Sequence, residues 1–227
     1  MLTHSAAVQS PRLQTPFALP DRSQPAPSDS AAPIGVVMSF GRNAEIYAEG
    51  ESAGYVYKVI SGVVRISKLL PDGRRQISAF HMSGEMFGFE ADEVHLASAE
   101  AVVPVKVIAF KWGGLLGVAR QPASLLRELL SLAVKGLRHT QDHLLLLGRK
   151  SALERLAAFL LEMDQRTGST RGLDLAMPRH DIADYLGLTL ETVSRMFAEL
   201  KQMGTIRLES ARRVHLLDLA ALKAISA

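Results

Sequence analysis

Glu191, Ser194 and Arg195 are spaced three and four positions apart, so a helix through them presents all three on one side. Their chemistry is that of hydrogen-bond reading. A guanidinium donates a paired set of bonds to guanine O6 and N7, a glutamate accepts from cytosine N4, and a serine is a weaker contact that also suits thymine. One turn apart, Glu191 and Arg195 are placed to address a single G·C pair from its two strands. At about 100° per residue, Val193, Met196, Phe197, Leu200 and Met203 fall on the opposite side, an apolar face that holds the helix onto a core. In isolation this segment would be an ordinary solvated helix face. Its setting gives it meaning.

That setting is Pro178–Gly204. Pro178 suits the first turn of a helix, and Ile182, Ala183 and Leu186 recur at helical spacing. Gly187 ends that helix, Thr189 can cap the next, and Gly204 can close it. Two short helices joined at Gly187-Leu188-Thr189 form a helix-turn-helix, whose second helix enters the DNA major groove. Phosphate contacts, which carry affinity without sequence information, are expected from Arg179 and His180 on the first helix and Thr189 and Thr192 at the start of the second. Further on, Ile206–Leu208 and Val214–Leu217 flank Glu209-Ser210-Ala211-Arg212, a hairpin suited to a wing. Arg207, Arg212 and Arg213 on it are phosphate candidates, each equally compatible with an ordinary surface position.

The elements that must position this head lie upstream. Residues 1–33 carry six of the ten prolines and no apolar period, the composition of a disordered arm. Over 34–118, short β-type runs (Glu45–Tyr47, Tyr55–Ile60, Val63–Leu69, Gln76–Met82, Val102–Phe110) are punctuated by glycines, which predicts a β-barrel or roll. A long helix follows, roughly Ser124–Leu147, within a segment 119–148 that ends on a hinge at Gly148. Leu126, Leu130, Ala133, Leu137, Thr140, Leu144 and Leu147 keep the 4-3 spacing of a two-stranded coiled-coil seam, so a homodimer is expected. A second stripe, Leu125, Leu129 and Leu132, is placed to pack back on the β-domain. Residues 149–227 complete the DNA-binding domain, making the whole an α+β chain. Net charge is only +3, compatible with DNA without arguing for it. No apolar run is long enough to span a membrane and no secretory leader is visible, so the expectation is a cytoplasmic protein.

The run Leu186-Gly187-Leu188-Thr189 followed by Glu191-Thr192-Val193-Ser194-Arg195 resembles the recognition motif of the CRP/FNR family of transcription regulators, on its FNR side. Gly54–Gly62 and Gly84–Gly88 are similar to the β-roll of that family's sensor domains, and the likeness covers about residues 34–227. The resemblance implies a cyclic-nucleotide-binding-like β-roll, a long dimerisation helix and a C-terminal winged helix-turn-helix. It further implies a palindrome of the TTGA-N-TCAA type and an activator that recruits RNA polymerase, with the Pro71–Arg75 hairpin as a candidate contact. The cysteine-free chain and its reading helix together resemble the FixK-like branch, which implies genes for low-oxygen and nitrogen-fixation-related metabolism.

With no cysteine anywhere, a thiolate-held iron–sulfur cluster is impossible. In the cyclic-AMP branch a Gly-Glu loop is followed by an Arg-Ser pair that holds the cyclic phosphate. Here Gly84-Glu85 is present, but no arginine occurs between Arg75 and Arg120, and the stretch carries Glu90, Asp92, Glu93 and Glu100 instead. An acidic loop is a poor anion cage. The expectation is therefore no cofactor, no metal and no small-molecule effector. The alternative is a one-component sensor holding haem or another small ligand in the β-roll, for which His81 and His95 are the conceivable ligands. Lone histidines in a β-domain are more often surface or core residues. No nucleophile elbow, phosphate loop or paired metal motif accompanies them, which argues against an enzyme.

Overall fold

Glycine-punctuated runs of alternating polarity do form a β-roll. The structure is a computed structural model that describes residues 35–90, 92–111, 113, 123–168 and 172–226; the arm expected over 1–33 lies outside them. The strands are β1 (Val36–Phe40), β2 (Glu45–Tyr47), β3 (Tyr55–Ser61), β4 (Val63–Leu69), β5 (Arg75–Met82), β6 (Met86–Phe87), β7 (Ser98–Ala101) and β8 (Val105–Lys111). They make two four-stranded antiparallel sheets, ordered β1-β8-β3-β6 and β2-β7-β4-β5. Between the sheets lie Tyr47, Tyr57, Phe87, Val59, Val64 and Val107, all buried. The ring centroids of Tyr57 and Phe87 are 5.1 Å apart, and those of Tyr47 and Tyr57 5.6 Å.

The single strand expected over Val102–Phe110 is broken. The chain leaves one sheet after Ala101 and enters the other at Val105, crossing at Val102–Pro104, because proline has no N–H to continue a ladder. The crossing is tight. A Cβ on Gly62, between β3 and β4 at φ 91°, would stand 2.5 Å from the Pro104 carbonyl oxygen.

Helix α1 (Ala123–Arg149) runs one residue past Gly148, so the expected hinge moves to Lys150 and Ser151. Of the expected seam, Leu130, Leu137 and Leu144 are 65%, 60% and 70% exposed, with Val134 beside them, and Ala133 and Thr140 are exposed too. Leu147 departs from the seam. It sits in the last turn before the joint and packs against the core of the C-terminal domain. The side chains of Leu125, Leu126 and Leu129 lie outside the described residues.

Helix α2 (Ala152–Thr167) opens on a capping box. The Glu154 N–H donates to Ser151 Oγ at 3.4 Å, and the Ser151 N–H donates to Glu154 Oε2 at 2.8 Å. Then follow β9 (Leu173–Asp174), α3 (Arg179–Leu186), α4 (Leu190–Gln202), β10 (Ile206–Leu208), β11 (Arg213–Leu216) and α5 (Leu219–Ser226). The three short strands form one antiparallel sheet, ordered β10-β11-β9.

The core of this C-terminal domain is continuous with the outer face of β4 and β5. Val63, Ile77, Phe80 and Val102 join Leu156, Phe159, Leu160, Ile182, Tyr185, Val193 and Phe197 in one buried cluster. A β-bulge makes that face. Ile66 pairs with Ala79 but Ser67 pairs with Ile77, so Ser78 is an extra residue and Ile77 and Phe80 emerge on the same side. The Phe80 and Tyr185 rings lie 5.2 Å apart across the junction.

Two histidines are trapped near this junction. The His143 ring stacks on Tyr185 at 4.2 Å with neither nitrogen hydrogen-bonded, and burial pushes its pKa down to about 4. Burial likewise lowers His81 to about 4, the nearby Arg166 and His139 charges adding to it against Glu85. An unfolded histidine takes up its proton from about pH 6.5 downward. The unfolded chain therefore binds more protons between about pH 6.5 and 4, and stability should fall as pH falls through that window. His143→Phe, which keeps the ring on Tyr185, should make the fall shallower, as thermal midpoints measured across that range would show.

Candidate nucleic-acid interface

Helix α4 divides as its periodicity requires. Val193, Met196, Phe197 and Leu200 are buried, while Glu191, Ser194, Arg195, Ala198 and Gln202 are exposed. Met203, expected on the apolar face, is the helix C-cap and lies exposed, because the helix ends before it; Gly204 follows at φ 73°. At the other end, Thr189 is the N-cap. Its hydroxyl accepts from the Thr192 N–H at 3.2 Å and meets the Thr192 hydroxyl at 3.0 Å. Pro178 sits one position earlier than expected, as the N-cap of α3. Gly187 joins the two helices at φ 61°, left-handed backbone that a side chain would strain, with Leu147 and Arg155 close by. Leu190, an exposed apolar side chain beside Glu191, was missed from sequence. Its apolar neighbours are ordinary helix content, so only its exposure marks it.

The phosphate candidates separate. Arg207 is exposed on β10, and Arg212 is half-buried at the wing tip. Arg213 Nε lies 3.4 Å from Glu209 Oε2 and 3.9 Å from Asp174 Oδ1 without a hydrogen bond to either, so its charge faces neighbouring carboxylates. Glu209 also meets His215 Nε2 at 2.7 Å, and that hydrogen bond, with Arg213 beside it, holds its carboxyl below the usual range. His180 is largely exposed, its Nε2 3.2 Å from Asp181 Oδ1. Arg179 is turned inward. Its Cζ stands 3.1 Å from the Phe197 ring centroid, Nη1 has no hydrogen-bond partner, and burial lowers its pKa to about 10.

Sequence reasoning also missed the residues that hold the head in place. Arg65 of β4 donates from Nε to Glu100 at 2.8 Å and from Nη1 to Asp181 at 2.8 Å. Arg75 of β5 reaches Asp181 at 2.5 Å and Asp184 at 2.6 Å through Nη2, and donates from Nε to Asp184 at 2.8 Å. Asp181 is fully buried and Arg65 nearly so. Although burial disfavours the Arg75 charge, Asp184 and Asp181 raise its pKa above the ordinary value. At the joint, Arg155 donates to Lys150 O at 2.9 Å, to Leu147 O at 2.8 Å and to Leu186 O at 2.9 Å. One guanidinium thus closes the last turns of both α1 and α3. The signal for Arg65 was an arginine amid the apolar run Val63-Val64-Arg65-Ile66.

The loop that would face a cyclic nucleotide is occupied from within the chain. Glu85 Oε2 accepts from the Met82 N–H at 3.0 Å and from Arg166 Nη2 at 2.9 Å. Arg166 also donates to Glu162 at 2.7 Å and to the Phe80 carbonyl oxygen. Burial opposes the Arg166 charge, but Glu85 and Glu162 outweigh it and raise the pKa. A carboxylate committed to an arginine, in a loop without a second cation, does not fit a cyclic phosphate diester. His95 is buried, stacked on Tyr47 at 3.5 Å with Nδ1 3.5 Å from Glu90. Among the described residues, no group of three or more His, Asp or Glu is arranged to hold a metal, and no helix is long and apolar enough to cross a membrane.

A β-roll, a long helix and a helix-turn-helix whose second helix is capped and exposed on one side are the parts of a DNA-binding transcription regulator. Residues 37–121 match the cyclic nucleotide-binding domain family and residues 154–225 the Crp-like helix-turn-helix domain family, and the chain belongs to the CRP/FNR family. Within that family it is FixK-like. It is 46% identical over 202 residues to the nitrogen fixation regulation protein FixK of Azorhizobium caulinodans, covering 87% of this chain and 82% of that protein. It is 44% identical over 190 residues to FixK of Rhizobium meliloti, covering 84% and 87%. The solved structure of FixK2 from Bradyrhizobium japonicum superposes with a TM-score of 0.81 at 44% identity, over 86% of this chain and 98% of that one.

The inward turn of Arg179 has a measurable consequence. Arg179→Met keeps an apolar stem over Phe197 and removes a charge that lacks a carboxylate partner. DNA affinity should stay within about twofold of wild type, because the lost charge does not face the groove. Fluorescence anisotropy on a labelled duplex checks it; a fall of about tenfold, with a shallower salt slope, would return Arg179 to the phosphate contacts.

Proposed function

We propose that the chain is a homodimeric activator that reads a TTGA-N-TCAA-type palindrome and recruits RNA polymerase without a small-molecule effector. The observation that carries this reading is the exposed face of α4, where Glu191, Ser194 and Arg195 stand free of internal ion pairs among the described residues, beside the capped N-terminus. Helix N-termini favour phosphate, and side chains near the start of a recognition helix reach base edges. Leu190 adds an apolar contact suited to a thymine methyl group. Thr189, Thr192, His180, Arg207 and Arg212 remain the backbone-facing candidates.

The exposed leucines of α1 support the dimer, since so continuous an apolar stripe calls for a partner, and a second copy supplies the matching stripe in register. Two copies related by a two-fold axis present two reading helices, which requires a palindrome. Three features support effector independence: the absence of cysteine, the aromatic filling of the β-roll, and the commitment of Glu85 to Arg166. The exposed turn Pro71–Arg74, with Asp72 and Arg74 paired at 2.7 Å, is the surface offered to polymerase; Arg75 is taken up by Asp181 and Asp184. The FixK relatives regulate nitrogen fixation, and we assign this chain the same class of target, genes expressed at low oxygen. Its activity would then follow its amount, in the cytoplasm.

The test is a titration in air with no added ligand, on the palindrome and on random DNA of equal length. Wild type should prefer the palindrome. Arg195→Ala should cost about 1–3 kcal/mol on the palindrome and much less on random DNA, because the lost bonds go to base edges. Equal losses on both duplexes would mean that α4 grips phosphate, and a strict need for cyclic AMP would overturn effector independence. For the dimer, Leu137→Asp buries an unpaired charge on both copies, a cost of several kcal/mol. Sedimentation should then report monomers, and affinity for the palindrome should collapse.

A further inference from the structure

We infer that the ion cluster between the β-roll and α3 sets the spacing between half-sites that the protein accepts. The inference rests on the dimeric, palindrome-reading function proposed above. Arg65, Arg75, Asp181 and Asp184 are its positioning residues, acting on Glu191 and Arg195 through α3.

The covalent link between the dimer helix and the DNA-binding domain is short, only Lys150 and Ser151. A joint of this kind allows the domain to swing about the end of α1. The apolar contacts of Phe80, Ile77 and Val63 with the domain resist separation, but burial of apolar area is non-directional and tolerates sliding. Guanidinium–carboxylate pairs are different. They are planar, and the Arg75 fork, bonded through Nε and Nη2, fixes both distance and rotation. Asp181 belongs to two such pairs, one to each strand of the β4–β5 hairpin, so α3 is held from two directions.

Burial states the purpose. Asp181 is 0% exposed and Arg65 6%. Replacing a buried ion pair with apolar residues is often neutral or stabilising, so cohesion alone would be served as well by a larger greasy patch. What the ions add is a unique geometry. That geometry passes to the reading face because α3 and α4 share one core, with Ile182 and Leu186 packed among Val193 and Phe197. The cluster therefore fixes where α4 points relative to α1, and across the two-fold axis it fixes the distance between the two α4 helices.

DNA makes this distance a specificity. One added base pair moves a half-site by about 3.4 Å along the duplex, and, at 10–10.5 base pairs per turn, rotates it by about 35°. A locked pair of heads rejects that change; a swinging pair follows it.

The experiment compares three duplexes, carrying the preferred spacer and spacers one base pair shorter and longer, with a fourth carrying a single half-site. Asp184→Arg, at a partly exposed position, sets two guanidinium groups against each other. Asp184→Glu, which keeps a carboxylate opposite Arg75 and leaves Asp181 both of its arginines, is the conservative control. Wild type should discriminate against the altered spacers by about tenfold or more, as for a misplaced half-site. Asp184→Arg should remain a dimer by sedimentation and bind the single half-site as wild type does, yet discriminate less than about threefold. Asp184→Glu should keep most of the discrimination. Unchanged spacer discrimination in Asp184→Arg would overturn the inference. So would an equal loss on the single half-site, which would make the cluster merely a support for the domain's fold. A wild type that binds paired and single half-sites equally would instead overturn the palindrome reading, and the lock with it.

Discussion

A carboxylate with no solvent exposure must be met by cations, and the arrangement of this chain follows from how Asp181 is met. Its two partners come from neighbouring strands of the β-roll, and it lies in the first turn of α3, where the helix-turn-helix begins. Neither domain can satisfy it alone. Separated from the hairpin, Asp181 would keep only His180 within reach, and Arg65 would keep only Glu100. The two domains consequently share one interior, apolar toward Phe80 and Tyr185 and ionic toward Asp181.

Where the head meets its neighbours, the same economy of contacts recurs at smaller scale. Arg155 closes the ends of α1 and α3 with one side chain, and Arg166 links Glu85 of the β-roll to Glu162 of α2. Both sit where a helix meets another element, and both use the several donors of a guanidinium where a lysine would offer one compact charge. The exposed face of α4 is left out of this network. Glu191, Ser194 and Arg195 project from a helix whose other side is sealed by Val193, Phe197 and Leu200, so an open surface is mounted on a closed one.

Much of this was legible in the sequence, and the limits of legibility are physical. The second helix of the helix-turn-helix, its cap at Thr189 and the glycine at its joint follow local rules of period and capping, and the structure carries them where the spacing puts them. The long helix and four of the five expected strand segments also follow local pattern. Strand β7 escaped because Ser98-Ala99-Glu100-Ala101 has little β propensity; its alternation lies in small residues that fit between larger neighbours. Arg179 read as a phosphate contact because charge at a helix start is a good local signal, whereas its actual partner, Phe197, is set by tertiary packing. The ion cluster joins residues more than a hundred positions apart, Arg65 with Asp181 and Arg75 with Asp184. No single-sequence period connects such pairs.

The bulge at Ser78 has a consequence for inheritance. With strict alternation, Ile77 and Phe80 would point to opposite faces of β5, one toward the DNA-binding head and one into the roll. The extra residue puts both on the head. Losing one of the two residues between them would leave Ile77 and Phe80 two positions apart on a regular ladder, where side chains share a face, so both would stay on the head. A substitution at Ser78 keeps the irregularity, whereas a deletion there straightens the strand and keeps the junction. The bulge is thus a feature that the lineage could shed without losing what it presents.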